Sequence, residues 1–428
     1  MARRHFLGAI GIAAVAVLAV LAIAWRPPIA PVAPPPPASF PRDLVDRGEM
    51  LAGAGNCIEC HTAPGGPPNA GGRPNHTRIG TFYSTNLTPD PETGIGAWSQ
   101  AAFVRALREG VSRDGRHLFP VFPYAHYSQL EDGDIRALYA YFMTRPAVKV
   151  DNRPNTLVFP LDARPLQALW KALFFRPKRW QPDPAHDARW NRGAYLVEAL
   201  AACANCHTDR NGLGAKQVGH PYAGAMIDGW FAEALDISPS PARWSEAELF
   251  AYLRHGDSPP HGVAIGPMRA VVRDLARLPD EDLQAMAAYF VSLNHSSGAA
   301  IEPAIARALN PVPPRTEVQK RGEALYLEHC ANCHGAPGQP PGVARSPLAL
   351  NAALWNRYRP YNLLRTILDG IDAGDGLPGA MPGFRDKLSD ADLVALATYL
   401  RASYTTLPAW GLTNEMAQTA RNHPLSLQ

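Results

Sequence analysis

The chain has 428 residues, of which 46% are hydrophobic and 18% are charged, and its formal net charge is +3. This length allows two or three domains, and the ordinary apolar content lets each of them bury a core. The small net charge gives no indication of nucleic-acid binding, so no nucleic-acid partner is predicted.

The N-terminal segment determines the predicted compartment. Arg3 and Arg4 precede an apolar run from Phe6 to Trp25 that is about long enough to span a bilayer. Residues 1–25 are therefore predicted to be a membrane anchor, with the following chain outside the cytoplasm. A signal peptide cleaved after residues 22–24 is the alternative, and it gives the same compartment.

A Pro- and Ala-rich spacer at residues 26–41 leads to the first of three identical motifs. The pattern Cys-x-x-Cys-His occurs as Cys57-Cys60-His61, Cys203-Cys206-His207 and Cys330-Cys333-His334, and it contains every cysteine of the chain. This is the attachment signature of c-type haem. Two cysteines on one face of a helical turn form thioether bonds to the porphyrin, and the adjacent histidine reaches the iron.

Two other chemistries use paired cysteines, namely zinc binding and redox disulfides. A histidine directly after the second cysteine does not give the usual closed zinc spacing. The pattern therefore predicts three covalently bound haem c groups, with His61, His207 and His334 as the proximal iron ligands.

Each motif is predicted to lie between two helices of one cytochrome c domain. The leading helices are predicted at residues 44–54, 192–202 and 318–328, and the closing helices at 132–143, 280–293 and 389–400. The closing helices begin with similar sequences, which indicates an internal repeat. The predicted fold class is all-α, with three tandem cytochrome c domains behind an N-terminal transmembrane helix.

The predicted domain boundaries are 42–150, 191–297 and 316–405, with an interdomain segment at 151–190, a linker at 298–315 and a C-terminal tail at 406–428. The interdomain segment contains an aromatic stretch at residues 169–175 and Trp180. One interpretation is a partner-binding or membrane-surface patch. The favoured one is a clasp whose aromatic side chains cover the first two domains, since exposed apolar patches of this size are uncommon.

The second axial ligand of each iron sets much of its reduction potential, and a methionine thioether raises it. Met381 is the predicted distal ligand of the third haem, and Met268 that of the second. Two other methionines of the second domain, Met226 and Met286, are interpreted as packing residues.

The first domain departs from this pattern because Phe122 occupies the place where a methionine is expected. His126 lies in the same loop, as does His117. We hypothesise that His126 is the distal ligand opposite His61, which gives this haem a lower potential than the other two. Met143, on the closing helix, is the alternative ligand.

Over residues 44–400 the chain resembles the cytochrome c subunits of membrane-bound periplasmic dehydrogenases, such as those of quinoprotein alcohol and flavin-dependent gluconate dehydrogenases. The resemblance is carried by the three motifs and by first-domain segments at residues 83–90, 94–98 and 114–118. It implies an electron-transfer subunit with no catalytic residues of its own.

Two segments, Phe122 to His126 and Ile227 to Trp230, are similar to the branch of this family paired with molybdenum hydroxylases that oxidise nicotinate, isoquinoline or aldehydes. A methionine commonly replaces Phe122 in the alcohol and gluconate branch. The resemblance implies electrons arriving from a molybdenum and iron–sulfur dehydrogenase, or else from a flavoprotein or quinoprotein. It implies electrons leaving to ubiquinone or a terminal oxidase, at the periplasmic face of the cytoplasmic membrane.

Two other classes of protein remain open at this point. A multihaem peroxidase would need an open distal site, for which the first domain is the candidate. A free electron carrier would have no fixed dehydrogenase. No catalytic triad, phosphate loop or molybdenum- or flavin-binding pattern is present, so substrate oxidation is predicted to occur on another polypeptide.

Overall fold

The computed structural model describes residues 24–217, 219–236, 242–294, 301–342, 346–357, 359–374, 376 and 380–422. The prediction of a transmembrane helix at residues 1–25 is not supported. Residues 1–23 lie outside the described part, and no helix among the described residues is both long and apolar enough to cross a membrane. The chain divides into two compact units, residues 1–184 with 195–202, and residues 185–194 with 203–428.

The first unit contains the first haem motif and residues 151–184 of the interdomain segment. Its helices are α1 (Arg42–Ala54), α2 (Cys57–Cys60), α3 (Gln100–Glu109), α4 (Tyr124–Tyr127), α5 (Asp132–Met143) and α6 (Arg164–Phe174), after a 3₁₀ turn at Pro37–Ser39. Helix α7 (Ala188–Tyr195) then runs into a π-helical turn, Leu196–Leu200, and the division between the units falls at Tyr195.

The second unit contains the second and third haem motifs. After α7 its helices are α8 (Ala204–His207), α9 (Glu246–His255), α10 (Pro267–Leu275), α11 (Asp280–Leu293), α12 (Ile301–Leu309), α13 (Glu317–His329), α14 (Ala331–His334), α15 (Ala352–Trp355), α16 (Tyr361–Asp369), α17 (Asp390–Tyr404) and α18 (Asn414–Asn422), with a 3₁₀ turn at Leu348–Leu350. The closing helices α5 and α11 have the predicted bounds, whereas α17 extends four residues beyond residue 400.

The all-α prediction is wrong, because the loops between the helices contain small antiparallel sheets. The strands are β1 (Pro74–Thr77), β2 (Gly80–Tyr83) and β3 (Thr156–Leu157) in one sheet, β4 (Ala225–Ile227) with β5 (Trp230–Ala232), and β6 (Asp257–Ser258) with β7 (Gly262–Val263). Asp228 and Gly229 form the β4–β5 turn with φ of 48° and 75°. An Asp-Gly pair of this kind favours a two-residue hairpin turn, a local signal that the helical interpretation overlooked.

The leading and closing helices cross at a glycine in all three repeats. A Cβ atom added at Gly48 would overlap the carbonyl oxygen of Ala137 on α5. The same overlap would occur between Gly193 and Ala285, and between Gly322 and Ala395. The missing side chain therefore lets the two backbones touch, and this contact fixes the helix pair that carries each motif.

An ion pair accompanies each crossing, formed by the arginine just before the glycine. The pairs are Arg47 with Asp134, Arg192 with Asp282, and Arg321 with Asp392. The aspartate lies in the first turn of the closing helix, where a negative charge also complements the helix dipole. In the third pair the carboxylate also accepts a bond from Ser389 in a capping box.

Candidate haem sites

Every Cys-x-x-Cys-His motif directly follows its leading helix and forms a single helical turn. The histidine N–H donates to the carbonyl of the first cysteine at 3.0 Å in each case, from His61 to Cys57, from His207 to Cys203 and from His334 to Cys330. This turn brings both thiols and the imidazole toward one side, as attachment of a single porphyrin requires.

The first two proximal histidines are held by a carbonyl from the loop that follows. The Nδ1 atom of His61 lies 2.7 Å from the Thr85 oxygen, and that of His207 lies 2.7 Å from the Glu233 oxygen. Since a carbonyl only accepts, Nδ1 carries the proton and Nε2 keeps its lone pair for iron. The two imidazoles therefore have the tautomer that a haem ligand needs.

The third proximal histidine differs in its surroundings. Nδ1 of His334 is buried and has no hydrogen-bond partner among the residues that the structure describes. Burial lowers the pKa of all three proximal histidines, which favours the neutral imidazole that binds metal. These features fit haem ligation.

Met381, the predicted distal ligand of the third haem, has a fixed backbone. Its carbonyl accepts from the Ile371 N–H at 2.8 Å, and its N–H donates to the Ile371 carbonyl at 3.1 Å. The half-buried side chain packs against the core of the third repeat, although Gly379 of the same loop lies outside the described part. The two hydrogen bonds hold the main chain of Met381, and they do not involve its thioether.

Met268 stands in the first turn of α10 and packs against Ala264 and Val272. The preceding Gly266 has a φ of 53°, and a Cβ there would overlap the Trp230 indole. Of the two methionines interpreted as packing residues, Met286 is fully buried in α11, whereas Met226 is 36% exposed on β4 and so is not a core residue.

The backbone register shows why Phe122 matters. The Leu118 N–H donates to the Gly110 carbonyl at 2.8 Å, and the Ala264 N–H donates to the Gly256 carbonyl at the same distance. Four residues after these matching bonds come Phe122 in the first repeat and Met268 in the second. A phenyl ring thus occupies the position of a predicted thioether ligand, and it lies 5.5 Å from the Tyr127 ring.

His126, the predicted distal ligand of the first haem, is 4% exposed on the short helix α4. Its Nδ1 is hydrogen bonded to the Glu198 carbonyl in the π-helical turn. This contact orients the imidazole and also ties α4 to the segment before Cys203. The alternative ligand, Met143, is 1% exposed within α5. His126 remains a prediction as the ligand.

His117, the other histidine of this loop, has a structural role. Nε2 lies 3.0 Å from the Ala24 carbonyl, and Nδ1 lies 3.0 Å from Nζ of Lys171. Because the Ala24 carbonyl can only accept, Nε2–H donates to it, and Nδ1 accepts a hydrogen bond from the Lys171 ammonium. Burial, followed by the charge of Lys171, lowers the pKa of His117 to about 4 and keeps it neutral.

The groups behind the second proximal histidine were not predicted from the sequence. The carboxylate of Glu233 is buried and accepts from the Asn362 amide at 2.9 Å, and burial raises its pKa to about 7. Asn362 also bonds both backbone groups of Phe231 at 2.8 Å. A residue of the third repeat therefore fixes β5 and the adjacent Glu233, which holds His207. No local sequence pattern predicts this contact.

Comparisons with known proteins agree with this geometry. The family model "Cytochrome c" matches residues 45–146, and the model "Cytochrome C oxidase, cbb3-type, subunit III" matches residues 188–290 and 317–400. The gluconate 2-dehydrogenase cytochrome c subunit of Pantoea cypripedii is 36% identical over 89% of this chain and 88% of its own length. The chain belongs to the family of dehydrogenase cytochrome c subunits.

Other members of the family are similarly related. The cytochrome c subunit of the quinone alcohol dehydrogenase of Komagataeibacter europaeus is 34% identical over 84% of this chain and 80% of its own. A nicotinate dehydrogenase subunit of Pseudomonas putida is 47% identical over 93% of this chain, which spans only 34% of that relative. Like these cytochrome subunits, the chain is an electron-transfer protein with covalently bound haem c.

Proposed function

We propose that the chain binds three haem c groups and passes electrons from a periplasmic dehydrogenase to ubiquinone or a terminal oxidase. The observation that carries this proposal is the threefold recurrence of one arrangement: a glycine crossing, an Arg–Asp pair and a Cys-x-x-Cys-His turn. Bound haem supplies iron that alternates between the ferric and ferrous states. The chain contributes the cysteines, the oriented imidazoles and a low-dielectric surrounding.

A molybdenum hydroxylase with iron–sulfur centres is the partner that we favour. The 47% identity to the nicotinate dehydrogenase relative supports it, as does the Phe122 to His126 segment. A flavin-dependent gluconate or quinoprotein alcohol dehydrogenase is the second candidate, supported by the relatives at 36% and 34% identity. We place the haem domains on the periplasmic side of the cytoplasmic membrane, because haem c is attached after export.

The haem count is tested by intact mass and haem absorbance of the mature protein. We expect a mass gain of three haem groups, and the loss of one group from each of the variants C57A/C60A, C203A/C206A and C330A/C333A. A variant that loses no haem would contradict attachment at that motif. A wild-type protein with only two haems would reduce the proposal to two electron-transfer centres.

The partner is tested by reduction of the holo-protein. The cytochrome is mixed with purified candidate dehydrogenases and their substrates, and the haem α-band is followed by stopped flow. We expect fast reduction by a molybdenum hydroxylase with nicotinate or an aldehyde. Reduction only by a flavoprotein or quinoprotein would favour the second candidate. No reduction by any of them, together with turnover of peroxide, would instead support the peroxidase alternative.

A further inference from the structure

The interdomain segment carries a concentration of exposed apolar side chains. Six of them lie within residues 158–174, and we call this set the apolar ridge. Its members are Val158, Phe159, Leu161, Leu169, Leu173 and Phe174. Phe159 is 83% exposed and Leu173 is 59% exposed, so both are largely in contact with solvent. Six exposed apolar side chains within one short segment are unusual on a protein surface, and such a concentration indicates a binding function.

Helix α6 carries half of the ridge and has two different apolar faces. On one face, Ala168 is buried, and Phe175, the residue after the helix, packs on Tyr124 with a ring-centroid distance of 4.9 Å. Leu169 lies about 100° around the helix from Ala168, and Leu173 lies one turn after Leu169. Both leucines remain exposed. The inner face therefore attaches the helix to the first repeat, and its outer face has no apolar cover among the described residues.

The inner face of α6 also lines a cavity of about 510 Å³ with a basic wall, which we call the basic cleft. Arg26, Arg108, Lys178 and Arg179 line it, together with the acidic residue Glu109. Arg108 and Arg179 share the Asp132 carboxylate, at 2.6 Å and 2.8 Å. Lys171 donates to the Gly110 carbonyl and His117, and burial lowers its pKa to about 7. Even with these pairings, cationic groups outnumber carboxylates in the cleft beside the ridge.

The sequence around α6 has the same one-sided charge. Residues 163–182 contain five Lys and Arg residues and no Asp or Glu. They also contain Trp170 and Trp180, a residue type that favours the boundary between lipid and water. A helix with Leu, Phe and Trp on one face and cations on the adjacent face is typical of helices that lie in the plane of a membrane surface.

We propose that the apolar ridge and the basic cleft form a docking surface for the anionic lipid face of a bilayer. The ridge side chains enter the acyl boundary, and the cations of the cleft contact lipid phosphates. The proposal rests on the membrane placement in the proposed function, which it deepens by naming the surface. The favoured clasp interpretation is correspondingly incomplete, since Phe175 packs on the first repeat while the ridge stays exposed.

Hydrogen–deuterium exchange on the full-length holo-protein tests the surface locally. A local measurement is needed so that contact through this segment is distinguished from vesicle binding by any other part of the chain. Exchange is compared in buffer, with phosphatidylcholine vesicles, and with vesicles that also contain phosphatidylglycerol. We expect slower exchange in residues 158–180 with the anionic vesicles, and a smaller effect at high salt or with phosphatidylcholine alone.

Matched variants separate lipid contact from loss of fold. L173S/F174S should lose the vesicle-induced protection of residues 158–180 while keeping wild-type haem spectra. L213S, which changes a leucine that is 65% exposed outside this segment, should keep the protection. K178E should weaken the preference for anionic vesicles by about tenfold, since it exchanges a cation for an anion.

Three outcomes would overturn the proposal: no vesicle-induced protection in this segment, protection that persists in L173S/F174S, or protection by the dehydrogenase but not by lipid. The last result would assign the surface to the partner protein. Electron transfer in the stopped-flow assay does not depend on any of these results. A failure here therefore leaves the proposed electron transfer standing, and the two failures are distinguishable.

Discussion

The first and second repeats have matching backbone hydrogen bonds but differ at the position where the distal ligand of the iron is expected. In both, a loop carbonyl holds the proximal histidine at 2.7 Å, and the distal loop begins with the same backbone bond. Four residues later the first repeat has Phe122 and the second has Met268. The scaffold is thus repeated, while a single side chain separates a site predicted to have a thioether ligand from one predicted to use the His126 imidazole.

The third repeat shows how far the scaffold can vary. It keeps the glycine crossing and the Arg–Asp pair, yet His334 has no carbonyl partner in the described portion, and Met381 pairs directly with Ile371. The helix crossing is thus common to the three repeats, while the surroundings of the proximal histidine differ among them.

The largest expected effect comes from removing the predicted ligand of the first haem. His126→Gln keeps an amide donor for the Glu198 carbonyl but removes the imidazole. We expect one of the three haems to become high-spin and to bind carbon monoxide, as measured by EPR and difference spectra. The control, Met268→Ala, should do the same to the second haem. An unchanged first haem in His126→Gln would show that another group binds the iron.

Phe122→Met tests the comparison in the opposite direction. A thioether placed in register with Met268 should displace the first-haem ligand and raise that potential by about 0.2 V. Potentiometric titration should then show the lowest potential moving toward the other two, and a methionine-to-iron charge-transfer band should gain intensity. The conservative change Phe122→Leu fills similar space without a ligand, so it should leave the potential near the wild-type value.

Replacing the arginine of the repeated Arg–Asp pair should affect the repeats unequally. The Asp134 side chain is 0% exposed, and that of Asp392 is 14% exposed. Arg47→Ala removes the cation from a buried carboxylate that still accepts from the Tyr195 hydroxyl, and should cost about 2–3 kcal/mol of unfolding free energy. Arg321→Ala, at a 62% exposed arginine, should cost less than about 1 kcal/mol.

Guanidinium unfolding of the oxidised holo-protein, followed by circular dichroism, measures both ion-pair variants. Equal losses in the two variants would mean that burial of the aspartate does not set the strength of the pair. A larger loss in Arg321→Ala would reverse the ranking of the repeats.

The last comparison concerns the helix crossing. Gly48→Ala gains helix propensity but places a Cβ well inside contact distance of the Ala137 carbonyl oxygen, so the helices must move apart and we expect a net loss of about 2–3 kcal/mol. Gly133→Ala, at a half-buried position of α5 where the nearest atom is 4.0 Å away, should be neutral or slightly stabilising. Thermal unfolding of the two variants compares them directly, and a stable Gly48→Ala variant would mean that the helices do not need their close approach.

The sequence by itself determined the parts of this protein whose chemistry is local. The Cys-x-x-Cys-His turns, the closing helices at 132–143 and 280–293 and the family all follow from short patterns of adjacent residues. The hairpin at Asp228 was also encoded locally, and a rule for two-residue turns would have found it. The Arg-Gly pairs at the helix crossings were readable by aligning the three repeats with one another.

Only the tertiary structure decided which distant groups meet. Nothing near His207 in the sequence indicates that the Glu233 carbonyl holds its imidazole. Nor does it indicate that Asn362 bonds the Glu233 carboxylate and the backbone of Phe231, which lies 131 residues earlier. Nor could periodicity show that the inner face of α6 is buried while Leu169 and Leu173 remain exposed. Local patterns specify helices and haem-attachment residues. The hydrogen-bond partners of a residue and the exposure of its side chain depend instead on how the loops fold back, because both arise from contacts between residues remote in sequence.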